Sequence, residues 1–549
     1  MRLATSIALA LAGSLGVGAK PIAKSFAHVA SVGVQIQNGT VNGIELPTFG
    51  QHFFGGIPYA APPTRFEPSK PLQQRFPDKG FNASTYSDAC WGSGDAGDVK
   101  MSEDCLSINI IRPETASSGS GLPVVLWLHG GGFYAGSSAQ SSLNGSWIVQ
   151  ESVDMGKPII FTSINYRLLV LGFPSGDEAH KAGIENLGLL DQRLAMQWIH
   201  ENIAAFGGDP KKLTIMGESA GGTAILQHLV AYGGAEQHLF RAAIVESGSF
   251  YQVNCTHNVT EQREANWNAL LAASNCTDLA CLKTAPSLPE IAISFWDTFL
   301  PSIDGKLIEE HPVQLWAEKH FVNVPLLMGV NADEGTVLGT PGCNTEADII
   351  AGVTSLNECS YVVFPDAFDS LFAAYPDDPS IGIPLNTGDG LLSSGTMDKR
   401  MNSIFNDAIE HAPRRWITSL MAEAGNPTFS YHFHQVPYNG SISIGATHAT
   451  EIPYVFSNPD TIGPRERDNS LGRFMTRSWV SFIHSLSPAH TGICDAPRWP
   501  AYSKKDPRNM VFSSHGSYIE TDDYRTDGIA LLTEQRIKGC WSLAPKHQQ

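Results

Sequence analysis

Apolar and polar positions alternate between two arrangements over the first half of the chain. Short, predominantly apolar runs rich in β-branched residues occur at Pro123 to Leu128 (PVVLWL) and Pro158 to Ile164 (PIIFTSI), the pattern of strands buried on both faces. Gly188 to Phe206 instead places apolar residues at helical spacing. Leu213 to Met216 predicts another short strand, Ala220 to Tyr232 a helix, and Pro325 to Val330 a later buried strand. Strand and helix patterns in this order predict a mostly parallel sheet covered by helices, an α/β architecture. Between about residues 340 and 425 the periodicity weakens while Gly, Pro, Asp and Ser accumulate, which predicts a long excursion with helices interleaved rather than more sheet. No internal repeat is present, and no Pro/Ser-rich or charge-block linker divides the chain.

Composition narrows the class. The chain has 549 residues, of which 42% are apolar and 16% charged, the balance of a folded protein with a large core. The formal net charge is −18, with Lys and Arg scattered rather than clustered, so there is no footprint for a phosphate backbone or an anionic membrane. Nucleic acid is therefore not an expected partner.

The N-terminus carries Arg2 ahead of an apolar run that closes on Val17, Gly18 and Ala19, which reads as a secretory leader over residues 1–19. One domain is expected from residue 20 to 549. The leader is too short to span a membrane comfortably, and no later stretch is longer and as apolar, so no integral membrane association is expected. Export agrees with the Asn-x-Ser/Thr acceptor sites at Asn38, Asn82, Asn144, Asn254, Asn258, Asn275 and Asn439. It also agrees with nine cysteines lacking zinc-like spacing, which point to disulfides with at least one thiol left over.

Candidate chemistry begins at Leu213 to Gly222 (LTIMGESAGG). A serine stands between glycines where a strand runs into a helix, the G-x-S-x-G arrangement that exposes a nucleophile on a sharp turn. Ser219 is the expected nucleophile. A serine hydroxyl also needs a base and donors for the oxyanion. The tract His129-Gly130-Gly131-Gly132-Phe133 follows the PVVLWL strand, and its glycines let backbone N–H groups converge on one oxygen.

These residues, with FGGIPYAAPP (Phe54 to Pro63), SEDCLSIN (Ser102 to Asn109), NLGLLDQ (Asn186 to Gln192) and FGGDP (Phe206 to Pro210), resemble the type-B carboxylesterase/lipase family, the cholinesterase-like branch of the α/β-hydrolases, and in particular its secreted fungal members. The resemblance implies the α/β-hydrolase fold and a Ser, Glu, His order for the triad. Glu334 in NADEG is then the acid, although composition alone does not separate it from Asp333. His448 in GATHATE is then the base, one of 18 histidines. By the same resemblance, Gly131, Gly132 and Ala220 supply the oxyanion hole, Glu218 and Glu451 lie close by as buried carboxylates, and Ser247 supports Glu334. The expected chemistry needs no metal or organic cofactor.

The resemblance also pairs Cys90 with Cys105 and Cys276 with Cys281. It leaves Cys343 with Cys359 and Cys494 with Cys540 as open pairings, and Cys255 over. Only 14 residues separate Cys90 from Cys105, where the family's lipases carry a much longer loop bearing a lid. That departure favours soluble esters over oil surfaces. Trp91, directly after Cys90, is the only residue there to stand for a choline-contacting tryptophan, so choline specificity is not expected. The expected activity is a secreted serine carboxylesterase. A lipase acting on longer-chain acylglycerols, and a non-catalytic binding protein of the same fold, are the alternatives.

Overall fold

The computed structural model describes residues 30–250, 261–354, 363–390 and 394–543. The expected leader, Cys255, Cys359, Asn254 and Asn258 lie outside the described residues. One sheet dominates the molecule. In chain order its main strands are β1 (Ser31–Ile36), β2 (Gly39–Leu46), β3 (Gln51–Pro58), β4 (Ser107–Pro113), β5 (Leu122–Leu128), β6 (Ile160–Ile164), β7 (Gly208–Glu218), β8 (Ala242–Glu246), β9 (Leu326–Asn331), β10 (Thr428–Phe433), β11 (Arg508–Phe512) and β12 (Tyr518–Thr521). Their spatial order is β1-β2-β3-β4-β6-β5-β7-β8-β9-β10-β11-β12. The run from β6 to β11 is parallel, while the strands on both flanks are antiparallel. This is the α/β-hydrolase fold predicted from the sequence.

The central strands are apolar because both of their faces are covered. Along β5, Val124, Leu126 and Leu128 join one core while Val125 and Trp127 join the other. The same two-residue period places Leu326 and Met328 on one side of β9 and Leu327 on the opposite side. Helix α1 (Leu187–Asn202) and helix α2 (Ala220–Gly234) pack on the first face, and α2 leaves helical geometry at Ala231. Helix α5 (Glu466–Ser485) covers the second.

The excursion after β9 is helical, as its weak periodicity and turn-rich composition predict. It holds α3 (Asp398–Asn406), a π-helical turn at Asp407–His411 and α4 (Ala412–Glu423) before the chain returns as β10. These segments build a third, smaller apolar cluster with residues of the C-terminal helix α6 (Thr526–Leu543).

Among the described residues two disulfides form, Cys90–Cys105 and Cys276–Cys281. Cys494 and Cys540 do not pair, and the pairing of Cys343 with Cys359 falls outside the described residues. Cys494 is an exposed thiol beside Ile493 and Ala496, which pack on the second core, whereas Cys540 belongs to the first core across the sheet. Cys343 is a buried free thiol that meets the carbonyl of Thr340 at 3.4 Å. Among the described residues no helix is long and apolar enough to cross a membrane.

Candidate active site

The loops at the C-terminal ends of β5, β7, β8 and β9 meet at one place, the crevice where open parallel sheets hold their ligands. At the end of β7, Ser219 has φ 56° and ψ −124°, a strained left-handed conformation for a residue with a side chain. The strain is held by packing. A Cβ on Gly217 would lie 2.8 Å from the Leu128 carbonyl oxygen and 2.7 Å from Gly221, and a Cβ on Gly221 would overlap that same carbonyl. Both glycines are required for the turn to fit against β5. The Ser219 N–H donates to the Glu246 carbonyl at 3.0 Å, and the Ser219 carbonyl accepts from Thr223 at 2.8 Å, locking the serine where α2 begins.

His448 reaches the serine from the loop after β10. Its Nε2 is 2.8 Å from Ser219 Oγ and its Nδ1 is 2.7 Å from Glu334 Oε2. The other oxygen of Glu334 accepts from Ser247 Oγ at 2.5 Å and from the Asn331 N–H at 2.8 Å. Glu334 is fully buried, so these donors replace the water that an ionised carboxylate would otherwise require.

Asp333 is turned the other way. Its carboxylate accepts from the backbone N–H groups of Leu385 and Ala446, each at 2.8 Å, and so clamps the histidine loop to the turn after β9. Burial raises its pKa to about 6. Of the two adjacent acids, Glu334 is the one that meets His448.

The other predicted carboxylates lie around the same imidazole. Glu218 Oε1 is 3.4 Å from His448 Nε2, and Glu451 Oε2 accepts from Asn331 Nδ2 at 2.5 Å. Asn331 Nδ2 also donates to the Thr447 carbonyl at 2.8 Å, which ties Glu451, the end of β9 and the histidine loop together. Desolvation pushes Glu218 up to about 8 and Glu451 up to about 7, the neighbouring carboxylates adding to the shift. Burial by itself would lower the His448 pKa. The negative fields of Glu218, Glu334 and Glu410 outweigh burial and raise it to about 10.

The glycine tract lies directly against Ser219. A Cβ on Gly130 would meet the Glu218 carbonyl at 2.8 Å and Ser219 Cβ at 3.1 Å. Gly131 and Gly132 have φ of 102° and 64°, and the Gly131 carbonyl turns back to accept from Tyr134 and Ala135 at 3.0 and 2.8 Å. Among the described residues, no protein acceptor meets the N–H of Gly131, Gly132 or Ala220. His129 stacks on Tyr166 with ring centroids 4.4 Å apart, and burial lowers its pKa to about 4, so the ring supports the tract as a neutral group.

Two buried carboxyls beside the site were missed in the sequence. Glu246 ends β8, where its Oε1 accepts from Trp479 Nε1 at 2.6 Å, and an acidic residue closing the apolar run AAIVE was a readable signal. Glu410 lies in the π-helical turn, in a stretch without a clear period. Among the described residues no cluster of His, Cys, Asp or Glu is arranged to hold a metal ion.

Comparison with known proteins places this geometry in context. Residues 30–527 match the model of the carboxylesterase family. The chain is 32% identical over 531 residues to Lipase 5 of Diutina rugosa, covering 87% of this chain and 92% of that protein. It is 30% identical over 550 residues to a secreted triacylglycerol lipase of Gibberella zeae, covering 92% and 90% of the two chains. The crystal structure of Aspergillus niger EstA superimposes with a TM-score of 0.80 at 26% identity, over 92% of this chain and 98% of that one.

Proposed function

The chain belongs to the carboxylesterase family, and from that premise we propose that it is a secreted serine carboxylesterase of short and medium soluble esters, one catalytic domain starting at residue 20. The observation that carries this reading is the unbroken line of hydrogen bonds from Ser219 Oγ through His448 to Glu334.

In this mechanism His448 takes the Ser219 proton as Oγ attacks the ester carbonyl, forming a tetrahedral oxyanion. The unclaimed N–H groups of Gly131, Gly132 and Ala220 are the donors for that charge, fixed by the backbone before the reaction begins. Glu334 holds Nδ1 and stabilises the imidazolium, while Ser247 and Asn331 hold Glu334. Collapse expels the alcohol, which receives the proton from Nε2, and leaves the acyl group on Ser219. Water then repeats the sequence and frees the acid. Glu218 and Glu451 tune the base from either side, and burial, which raises the pKa of both carboxyls, tempers the negative charge crowded around it.

The preference for soluble esters rests on the loop between Cys90 and Cys105. Its two ends pair as short strands, Ala89 with Met101 and Cys90 with Ser102, beside the disulfide. Arg65 grips Glu103 with two hydrogen bonds of 2.7 and 2.6 Å, and the Ser93 N–H donates to the Tyr134 carbonyl at 2.7 Å. A segment tied at so many points is poorly suited to swing as a lid. The relatives named as lipases favour a second reading, hydrolysis of longer-chain acylglycerols.

Export is supported by the two disulfides and by the name of the Gibberella zeae relative. Among the acceptor asparagines, Asn82, Asn275 and Asn439 are exposed and fit glycan attachment. Asn144 is half-buried. Asn38 fits least, since its Nδ2 donates to the carbonyls of Leu72 and Gln74, both at 2.9 Å.

Hydrolysis of p-nitrophenyl esters from acetate to palmitate tests the proposal. The expected profile is highest kcat/KM at short chains. A maximum at palmitate would support the lipase reading, and no activity on any ester would overturn both.

A further inference from the structure

The N–H groups of Gly131 and Gly132 lie in a stretch, residues 129–140, that contains neither helix nor strand. Glycine backbone is costly to hold in one conformation, and oxyanion donors contribute most when they are fixed before the reaction. Part of the hold is local. The Gly131 carbonyl accepts from Tyr134 and Ala135, and a Cβ on Gly136 would lie 2.7 Å from the Gly130 carbonyl oxygen, so Gly130 to Gly132 are keyed to residues 134–136.

Residues 134–140 are in turn held by the tip of the loop between Cys90 and Cys105. Ser93 bridges to Ala135, and its N–H donates to the Tyr134 carbonyl at 2.7 Å. Ser137 is 1% exposed, and its Oγ donates to the Ala96 carbonyl at 2.6 Å while accepting from the Ala139 N–H at 3.1 Å. Gln140 Nε2 donates to the Asp95 carbonyl at 3.2 Å, and a Cβ on Gly97 would lie 2.7 Å from the Ala139 carbonyl oxygen. Closing the loop does not need these bonds. Its base already carries the disulfide, the paired strands Ala89–Cys90 and Met101–Ser102, and the grip of Arg65 on Glu103. The tip directs its polar groups to the oxyanion side instead.

We propose that the Cys90–Cys105 loop is a positioning element for the oxyanion hole, whose tip holds residues 134–140, with Ser137 as the central tie, and thereby fixes the backbone that presents the Gly131 and Gly132 N–H groups. The short loop is a fixed brace in this account, and its contribution is to kcat rather than to substrate binding. The inference rests on the ester-hydrolase reading above.

The test measures Ser137→Ala and the double variant Cys90→Ala/Cys105→Ala on p-nitrophenyl butyrate and on its thiono counterpart, in which a sulfur that accepts hydrogen bonds poorly replaces the carbonyl oxygen. Ser137→Ala removes one tie, so kcat on butyrate should fall roughly 3- to 10-fold with KM unchanged. The double variant should lose more, roughly 10- to 100-fold, approaching the loss of a whole oxyanion donor. In both variants the thionoester rate should fall less than the butyrate rate, since it draws little on the donors. The acid limb of the pH profile should stay in place, since His448 and its carboxylates are untouched. A Ser137→Ala enzyme with wild-type kcat, or one that loses the same factor on both substrates, would overturn the inference, and this variant decides even if the double variant does not fold. Wild type inactive on every ester would instead overturn the ester-hydrolase reading, and this inference with it.

Discussion

Glu218 Oε1 lies 3.4 Å from Nε2 of His448, the same nitrogen that meets Ser219 Oγ at 2.8 Å. The imidazole is thus flanked by a carboxyl on its serine side as well as by Glu334 on the other. In the proposed mechanism His448 works only when Nε2 is unprotonated, so the rate should rise as pH climbs through its pKa, which the surrounding carboxylates raise. Glu218→Gln removes one of those negative fields without changing shape. The acid limb of the kcat/KM profile should move to lower pH in this variant. A limb that stays in place, or moves to higher pH, would remove Glu218 from the control of the base.

Glu334→Gln keeps the size of the side chain but loses the charge facing Nδ1. A fall in kcat on the order of 10³- to 10⁴-fold is expected, with the fold intact by circular dichroism. Ser247→Ala deletes only one of the three hydrogen bonds that Glu334 accepts. Its loss should be about tenfold, and a Ser247→Ala effect as large as that of Glu334→Gln would contradict the supporting role assigned to Ser247.

Away from the site, Arg414 and Asp522 form a buried ion pair, each with a side chain 1% exposed. Asp522 accepts from Arg414 at 2.6 and 2.8 Å, from Arg415 at 3.0 Å and from Tyr502 at 2.8 Å. Burial would raise its pKa, but the two guanidinium groups reverse this and hold it well below the usual carboxylate range. The folded-state value is depressed, so the contribution is fully present above the unfolded value of about 4 and fades only as pH falls through the lower folded value. Asp522→Asn leaves Arg414 buried without its charge partner and should cost about 3–5 kcal/mol. Denaturant unfolding at pH 7 and pH 5 should give the same difference from wild type, and a difference that vanishes by pH 5 would contradict the assignment.

The pinned loop between Cys90 and Cys105 predicts the response to an oil surface. Activity on tributyrin should follow the dissolved ester and show no jump as the emulsion forms. A sharp rise at the solubility limit would mean that some other segment acts as a lid.

The sheet and the tight turn that carries Ser219 were legible in the sequence because each imposes a local rule. Strands covered on both faces must be apolar at every position, and the turn at Ser219 excludes a Cβ at Gly217 and Gly221, leaving a recognisable string of residues. Glu334 was not separable from Asp333 on composition. The difference lies in which distant groups each meets, Ser247 and His448 for one and Leu385 and Ala446 for the other. His448 likewise became identifiable only through the family resemblance. Glu410 had no signal, since its burial comes from the packing of a long excursion whose own pattern is weak. The cysteines divide in the same way. Pairs closing short loops followed from the resemblance, while Cys494 and Cys540 are kept apart by the sheet itself.

The most direct test of the central claim is covalent trapping of the nucleophile. The protein would be incubated with a p-nitrophenyl alkylphosphonate, which leaves a stable mimic of the tetrahedral intermediate on an activated serine, and its mass measured intact and after proteolysis. The account predicts one phosphonyl group per chain on the peptide containing Ser219, release of one equivalent of p-nitrophenolate, and no adduct in Ser219→Ala. An adduct at another residue, or ester hydrolysis that survives in Ser219→Ala, would contradict it.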